Sequence, residues 1–197
     1  MPSKLIEKLL SKYRNVDDFV HERVLFKTNV PWVAPKAYLH ILFPPAPADV
    51  LQQRTTELRI PNPLIEFYSQ WNGALLFTGT LAIYGLLADG YVLNREDWRC
   101  RLPFDLVSET QHWQPELDDR DLFCFGSYGY DRSAVCVARD SGVVTVFAAD
   151  RLDVVRATWP SFETFLSEEL DRLSTFFDDN GKCSFPEDAL LPSASPC

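Results

Sequence analysis

Residues that could act as catalytic bases, nucleophiles or metal ligands are few in this chain and far apart. None of the histidines His21, His40 and His112 has a cysteine or a second histidine three or four residues away, as a compact zinc site requires. Cys124 and Cys136 lie in apolar runs, where a thiol usually serves as a small hydrophobic side chain. His112 remains as a candidate general base. These patterns predict neither a metal site nor a catalytic thiol.

The loop motifs of catalysis and cofactor binding are also missing from the sequence. In residues 126–129, Gly-Ser-Tyr-Gly, the serine directly follows the glycine, whereas a nucleophile elbow has one residue between them. The eight glycines form no run with a lysine that could hold a phosphate. The acidic runs 118–121 and 178–181 lack the alternating oxygen ligands and the closing glutamate of a calcium loop. We therefore expect no catalytic, cofactor-binding or metal-binding residues, and a protein that is not an enzyme.

The charge of the chain argues against nucleic acids and anionic membranes as partners and leaves two roles open, solubility and attraction of a basic protein. The 28 acidic and 19 basic residues give a net charge of −9. Residues 1–100 carry 11 basic and 10 acidic groups, and residues 101–197 carry 8 and 18, so the second half holds a charge of −10. Nucleic acids and anionic membranes repel such a surface, whereas a cationic protein is attracted to it. A role in solubility alone is the alternative.

Three sequence features predict a cytoplasmic protein. No stretch approaches ~20 uninterrupted apolar residues, as a membrane-spanning helix requires. The first eight residues, MPSKLIEK, contain charges where a signal peptide would be apolar. The five cysteines form no CxxC pair and no compact disulfide framework, so we expect reduced thiols.

The order of helical and extended patterns predicts the α+β class. Apolar residues at helical spacing predict helices over 3–13, 17–27, 48–58, 63–71 and 162–177. The last of these begins after Ser161, which is its predicted N-cap. Apolar runs between turn residues predict strands over 74–77, 81–84, 122–125, 134–138 and 143–147, with weaker strand or loop segments between 85 and Trp113. The short separations favour consecutive hairpins. We predict a mostly antiparallel sheet of about five or six strands packed against helices.

Composition divides the chain into three parts. We expect a helical and proline-rich extension over residues 1–47 that packs on the domain, the α+β domain over 48–177, and a flexible tail containing proline and serine over 178–197. The pair Asn72-Gly73 predicts that the helix over 63–71 ends there, with Gly73 in the left-handed conformation.

Residues 60–73, IPNPLIEFYSQWNG, resemble the SUKH superfamily, or SMI/KNR-type domain, whose members share a proline, a short helix and an Asn-Gly pair before the sheet. Further matches follow in the family's order at 81–86, 123–131, 134–138, 142–147 and 161–166. The resemblance covers about 48–175 and implies a SUKH-like sheet packed against helices. It implies no shared catalytic site. Bacterial members of the family look like immunity proteins that neutralise toxins, often nucleases, and fungal members like regulatory interaction proteins in cell-wall signalling.

Residues and resemblance together predict a non-enzymatic protein-binding domain. The first interpretation is an immunity protein that neutralises a basic toxin domain, with no nucleic acid, membrane or cofactor as its partner. A regulatory or scaffold protein in signalling is the second interpretation. An unrecognised hydrolase, with a polar pocket around His112, is the third. The sequence leaves the oligomeric state open.

The partner-binding surface is expected near the turns of the sheet, because turns display side chains and aromatic residues dominate many interfaces. The candidates are acidic residues with two tyrosines as anchors: Glu116, Asp118, Asp119, Asp121, Asp131, Tyr128 and Tyr130. The aromatic segment 91–113, which departs from the family pattern, is the alternative place for an interface.

Overall fold

Nine strands form one antiparallel sheet in the computed structural model of this chain, which describes residues 2–12, 19–21, 24–29, 38–88, 103–149, 151–178 and 181–193. The strands are β1 (Phe19–His21), β2 (Val24–Asn29), β3 (Tyr38–Leu42), β4 (Ala74–Leu76), β5 (Leu81–Ile83), β6 (Leu122–Tyr128), β7 (Ala134–Ala138), β8 (Val144–Ala148) and β9 (Arg151–Trp159). Each strand pairs with the next strand along the chain, so β1 and β9 form the two edges.

Six α-helices accompany the sheet within the same residues: α1 (Pro2–Lys12), α2 (Ala48–Leu58), α3 (Asn62–Tyr68), α4 (Leu106–Thr110), α5 (Gln114–Asp119) and α6 (Phe162–Ser174). Short 3₁₀ helices cover Gln111–Trp113 and Glu187–Leu190. Helices α1 and α3 contact α6, which packs on β9, whereas α4 and α5 contact β6. The predicted α+β class and the mostly antiparallel sheet are confirmed.

The sheet has more strands than the five or six predicted, and three of the additional ones precede α2. The helix predicted over 17–27 is wrong, because the described residues of this segment form β1 and part of β2. Val24, Leu25 and Phe26 are residue types that favour strands. Pairing of Phe26 with Ile41 of β3 then outweighs the weak helical pattern.

The segment before β6 is helical, where strand or loop was expected up to Trp113. Asp105 caps α4, since its carboxylate accepts the Ser108 N–H at 3.0 Å, and Pro115 lies in the first turn of α5. Residues 89–102 of this segment lie outside the described residues. The proposed division into three parts stays a prediction.

Helix α6 covers the sheet with aromatic side chains. The Ser161 Oγ accepts the Thr164 N–H at 3.1 Å, so the predicted N-cap is confirmed. Phe162 and Phe165 are buried against Phe125, with ring centroids 5.3 and 5.8 Å from that of Phe125. These edge-to-face contacts hold the first two turns of α6 on β6.

A buried carboxylate joins the sheet, α6 and the segment that follows α6. Glu169 is only 1% exposed, and it accepts a hydrogen bond from the Tyr128 hydroxyl of β6. Arg172 donates to both oxygens of Glu169, at 2.8 Å from Nε and 2.7 Å from Nη2. Nη2 of Arg172 also donates to the Leu190 carbonyl at 2.7 Å. The charge is thus paired and hydrogen-bonded, as burial demands.

His40 in β3 supports the turn between β4 and β5. Its Nδ1 accepts the Phe77 N–H at 3.3 Å, and its ring meets the Phe77 ring edge-on at 4.8 Å between centroids. Phe77 and Thr78 have φ values of 52° and 57°, which are uncommon for residues other than glycine. Burial lowers the pKa of His40 to about 3, so the imidazole is neutral at neutral pH.

Replacing Gly73 by valine should lower the free energy of unfolding by more than ~1 kcal/mol. Gly73 has a φ of +92°, which confirms its left-handed conformation, although α3 ends earlier than predicted, at Tyr68. A Cβ would lie 2.8 Å from the Ile83 carbonyl oxygen and 3.0 Å from the Pro103 Cβ. Gly79→Val is the matched control in urea denaturation, because Gly79 has a φ of +86° with nothing within 4 Å of a Cβ. Equal losses of unfolding free energy in Gly73→Val and Gly79→Val would contradict a role for the contacts around Gly73.

Stability should fall between pH 7.5 and 5.5 because His40 is buried and neutral. In the unfolded chain the imidazole of His40 binds a proton with a pKa of 6.5, whereas in the folded protein it binds one only near pH 3. The contribution of His40 to the free energy of unfolding is therefore fully present above pH 6.5 and is lost progressively as the pH falls below it. This group should contribute a loss of about 1.4 kcal/mol over those two pH units. Urea unfolding of His40→Gln should lack that contribution, and the exposed His112→Gln should keep it. Identical pH profiles for wild type and His40→Gln would refute the buried neutral imidazole.

Candidate functional site

Three of the predicted partner-binding residues lie together on α5. Glu116, Asp118 and Asp119 are exposed, while Leu117 between them is buried and attaches the helix to the core. Glu116 lies 3.7 Å from Arg120, one turn later on the same surface. The carboxylates of Asp118 and Asp119 thus face solvent on a helix whose position is fixed by β6.

Asp121 follows α5 and is shared by two arginines. One of its carboxylate oxygens lies 3.2 Å from Nη1 of Arg59 and 3.6 Å from Nη1 of Arg139. Asp121 and Arg59 have left-handed φ values of 49° and 53°. No local sequence pattern marks this contact, because Arg59 lies 62 residues before Asp121 and Arg139 lies 18 residues after it. Much of the negative charge of Asp121 is therefore already balanced.

Two further candidates, Tyr130 and Asp131, lie at the opposite end of β6. Tyr130 is 52% exposed in the β6–β7 turn. Asp131 pairs with Arg156 of β9 at 2.5 Å and accepts the Ser133 N–H at 2.9 Å. Because β6 has seven residues, it separates this turn from Asp121 by about 20 Å. The structure therefore divides the predicted set into two surfaces.

Tyr128 is not a surface anchor, and its prediction as one is wrong. Its side chain is fully buried and its hydroxyl donates to Glu169. Burial, followed by the nearby Glu169 carboxylate, raises the pKa of Tyr128 well above its usual value. The strand predicted over 122–125 continues to Tyr128, so this residue belongs to the sheet and the turn begins after it.

A groove beside Tyr130 contains aromatic residues that sequence reasoning did not select. Tyr130 and Phe185, which is 50% exposed, line a space of about 470 Å³ together with Phe177 and Leu190. Phe185 is an aromatic residue among polar ones within 178–197, a segment for which composition predicts a flexible tail.

A cleft of about 270 Å³ lies where α2, α4, α5 and β6 meet. Leu58, Leu117 and Phe123 contribute apolar surface, and Thr110 and Gln114 contribute polar atoms. Arg139, whose side chain is 10% exposed, also lines the cleft. The sequence did not predict this site, since its walls come from segments about 80 residues apart.

The candidates for chemistry do not converge in the described part of the chain. His112 is exposed on its 3₁₀ helix, with its ring centroid 4.1 Å from that of Trp113. Cys124 and Cys136 face each other across β6 and β7, both buried, and burial raises the pKa of the Cys136 thiol well above its usual value. Among the residues described, no three His, Cys, Asp or Glu side chains form a group that could hold a metal ion. No described helix has the length and apolar character needed to cross a membrane.

Comparison with known proteins identifies the family. No curated protein matches the sequence. The model of the SMI1/KNR4 family (SUKH-1) matches residues 46–168, which is more than half of the chain and close to the range 48–175 of the resemblance in the sequence. The matched range extends from the residues before α2 into α6 and includes every strand from β4 to β9. The chain therefore belongs to the SMI1/KNR4 family (SUKH-1).

Proposed function

We propose that this protein binds and neutralises a basic toxin domain, such as a nuclease, and acts as an immunity protein in the cytoplasm. The exposed carboxylates of Asp118 and Asp119 carry the proposal. They belong to a chain with a net charge of −9 and lie within the residues that match the family. Nucleases bind a polyanion with a cationic surface, so an acidic protein can occupy the same surface. In this mode the chain acts by covering the toxin and supplies no catalytic group.

The position of α5 supports recognition by electrostatic attraction. The helix is short, but the buried Leu117 fixes it against β6, so its acidic face is held in place before the partner arrives. A preorganised charged surface increases the association rate and loses little conformational entropy on binding. Among the predicted residues, Glu116, Asp118 and Asp119 therefore form the first surface to test, and Tyr130 with Asp131 forms the second.

Reversing the charges of Asp118 and Asp119 should slow association with the toxin on the order of tenfold and change dissociation much less. The double variant Asp118→Lys/Asp119→Lys is compared by stopped flow with Glu163→Lys/Glu168→Lys, which makes the same change in net charge on exposed positions of α6. The probe is a basic nuclease toxin domain, sought among the genes that flank the gene of this chain. The wild-type rate should also fall steeply as salt rises to ~0.15 M, where the screening length is about 8 Å.

Two outcomes would contradict the proposal in different ways. Toxin activity that a stoichiometric amount of wild-type protein does not reduce would refute the immunity function itself. Full inhibition with equal association rates for both double variants would keep the function and remove α5 from the interface.

A further inference from the structure

Two aromatic side chains on the walls of one groove stay half exposed. Tyr130 in the β6–β7 turn is 52% exposed, and Phe185 in the chain after α6 is 50% exposed. Both line the space of about 470 Å³. The wall with Phe185 lies beyond residues 46–168, which match the family, so the groove is a feature of this chain. Exposed aromatic rings that share a groove are typical of a binding surface.

The wall that contains Phe185 is held in place by contacts within the chain. The Phe185 ring meets the Phe176 ring edge-on, with 5.0 Å between centroids. Cys183 donates a hydrogen bond from Sγ to the Phe185 carbonyl at 3.5 Å and forms an antiparallel bridge with Phe177. A ring that is already positioned loses little conformational entropy when a partner binds.

The turn that contains Tyr130 is also tied to the sheet. The Gly129 N–H donates to the Thr80 carbonyl at 3.0 Å, and the Arg132 N–H donates to the Tyr128 carbonyl at 2.9 Å. These hydrogen bonds fix the backbone on both sides of Tyr130, while half of its side chain remains in solvent. Both walls of the groove are therefore formed before a partner arrives.

The charges around the groove favour a cation as its occupant. None of the described residues that line the groove is charged, and segment 178–188 at one wall has four acidic residues and one basic residue, a net charge of −3. At the other wall, Asp131 pairs with Arg156. Its neighbour Arg132 pairs with Glu109, so this wall adds little net charge. Aromatic faces in negative surroundings attract a cation and disfavour an anion.

We propose that this groove binds an arginine side chain of the basic partner, with the guanidinium group against the rings of Tyr130 and Phe185. A guanidinium is planar and weakly hydrated, so it stacks on aromatic rings more readily than the ammonium of lysine does. Arginine is also enriched in protein interfaces. That the partner is basic rests on the proposed function, whereas binding of a free arginine derivative requires no toxin.

NMR titration of the ¹⁵N-labelled full chain with N-acetylarginine amide tests the proposal, with N-acetylcitrulline amide as the uncharged match. We expect the arginine compound to shift the amide signals of the groove with a Kd on the order of 10 mM or tighter, and the citrulline compound to bind about threefold more weakly. The double variant Tyr130→Leu/Phe185→Leu keeps apolar surface but removes both aromatic faces, so it should bind the two compounds equally. Phe104→Leu is the control, because Phe104 is 44% exposed and does not line the groove.

Tyr130→Leu alone leaves the contact between Phe176 and Phe185 intact and should by itself reduce the preference for arginine. The proposal is overturned if the groove signals show no saturable shift up to ~50 mM of the arginine compound. Equal affinities of the wild type for both compounds, or an unchanged preference in both leucine variants, would also overturn it.

The groove and the toxin function can fail separately. A preference for arginine at the groove, in a protein that leaves the toxin active, would keep this site and remove the immunity function. Inhibition of the toxin by a protein whose groove shows no preference for arginine would keep the function and remove this site.

Discussion

The ion pair between Glu169 and Arg172 is the constraint on which the arrangement of this fold depends. A carboxylate that is 1% exposed is tolerated only because Arg172 and Tyr128 together supply its hydrogen bonds. Since Tyr128 ends β6 and Leu190 receives the remaining bond of Arg172, the pair defines where α6 lies on the sheet and where the chain after α6 returns. Hydrophobic contacts such as Phe125 with Phe162 add energy, but they are less directional.

The two ends of β6 carry different surfaces. At its start, α5 and the end of α2 enclose the cleft and present the acidic residues Asp118 and Asp119. At its end, the β6–β7 turn presents Tyr130 next to the groove that includes Phe185. Because β6 lies inside the sheet, its two ends keep a fixed separation, and a partner of ordinary size would contact one of them first.

Sequence reasoning succeeded where local signals and tertiary structure agree. The bounds of α2 and β7 match the predictions, as does the Ser161 cap, because helix spacing, strand runs and capping are set within a few residues. It failed at 17–27, where pairing with β3 decides the structure, and at Tyr128, where only the distant Glu169 shows that the residue is buried. The contact of Arg59 and Arg139 with Asp121 joins residues brought together by the fold, so no pattern in the sequence marks it.

The sheet order, in which every strand pairs with its neighbour in the sequence, has a consequence for how the chain reaches this structure. The connections within β1–β3, β4–β5 and β6–β9 are short, so these three groups of strands can form with little loss of chain entropy. The pairings of β3 with β4 and of β5 with β6 close longer connections that contain helices. The hydrogen bond from Tyr128 to Glu169 joins residues 41 positions apart, and β7, β8 and β9 lie between them. It can therefore form only after these three strands have paired. We expect the late step of folding to be the docking of α6, with the buried charge losing its water as the final contacts form.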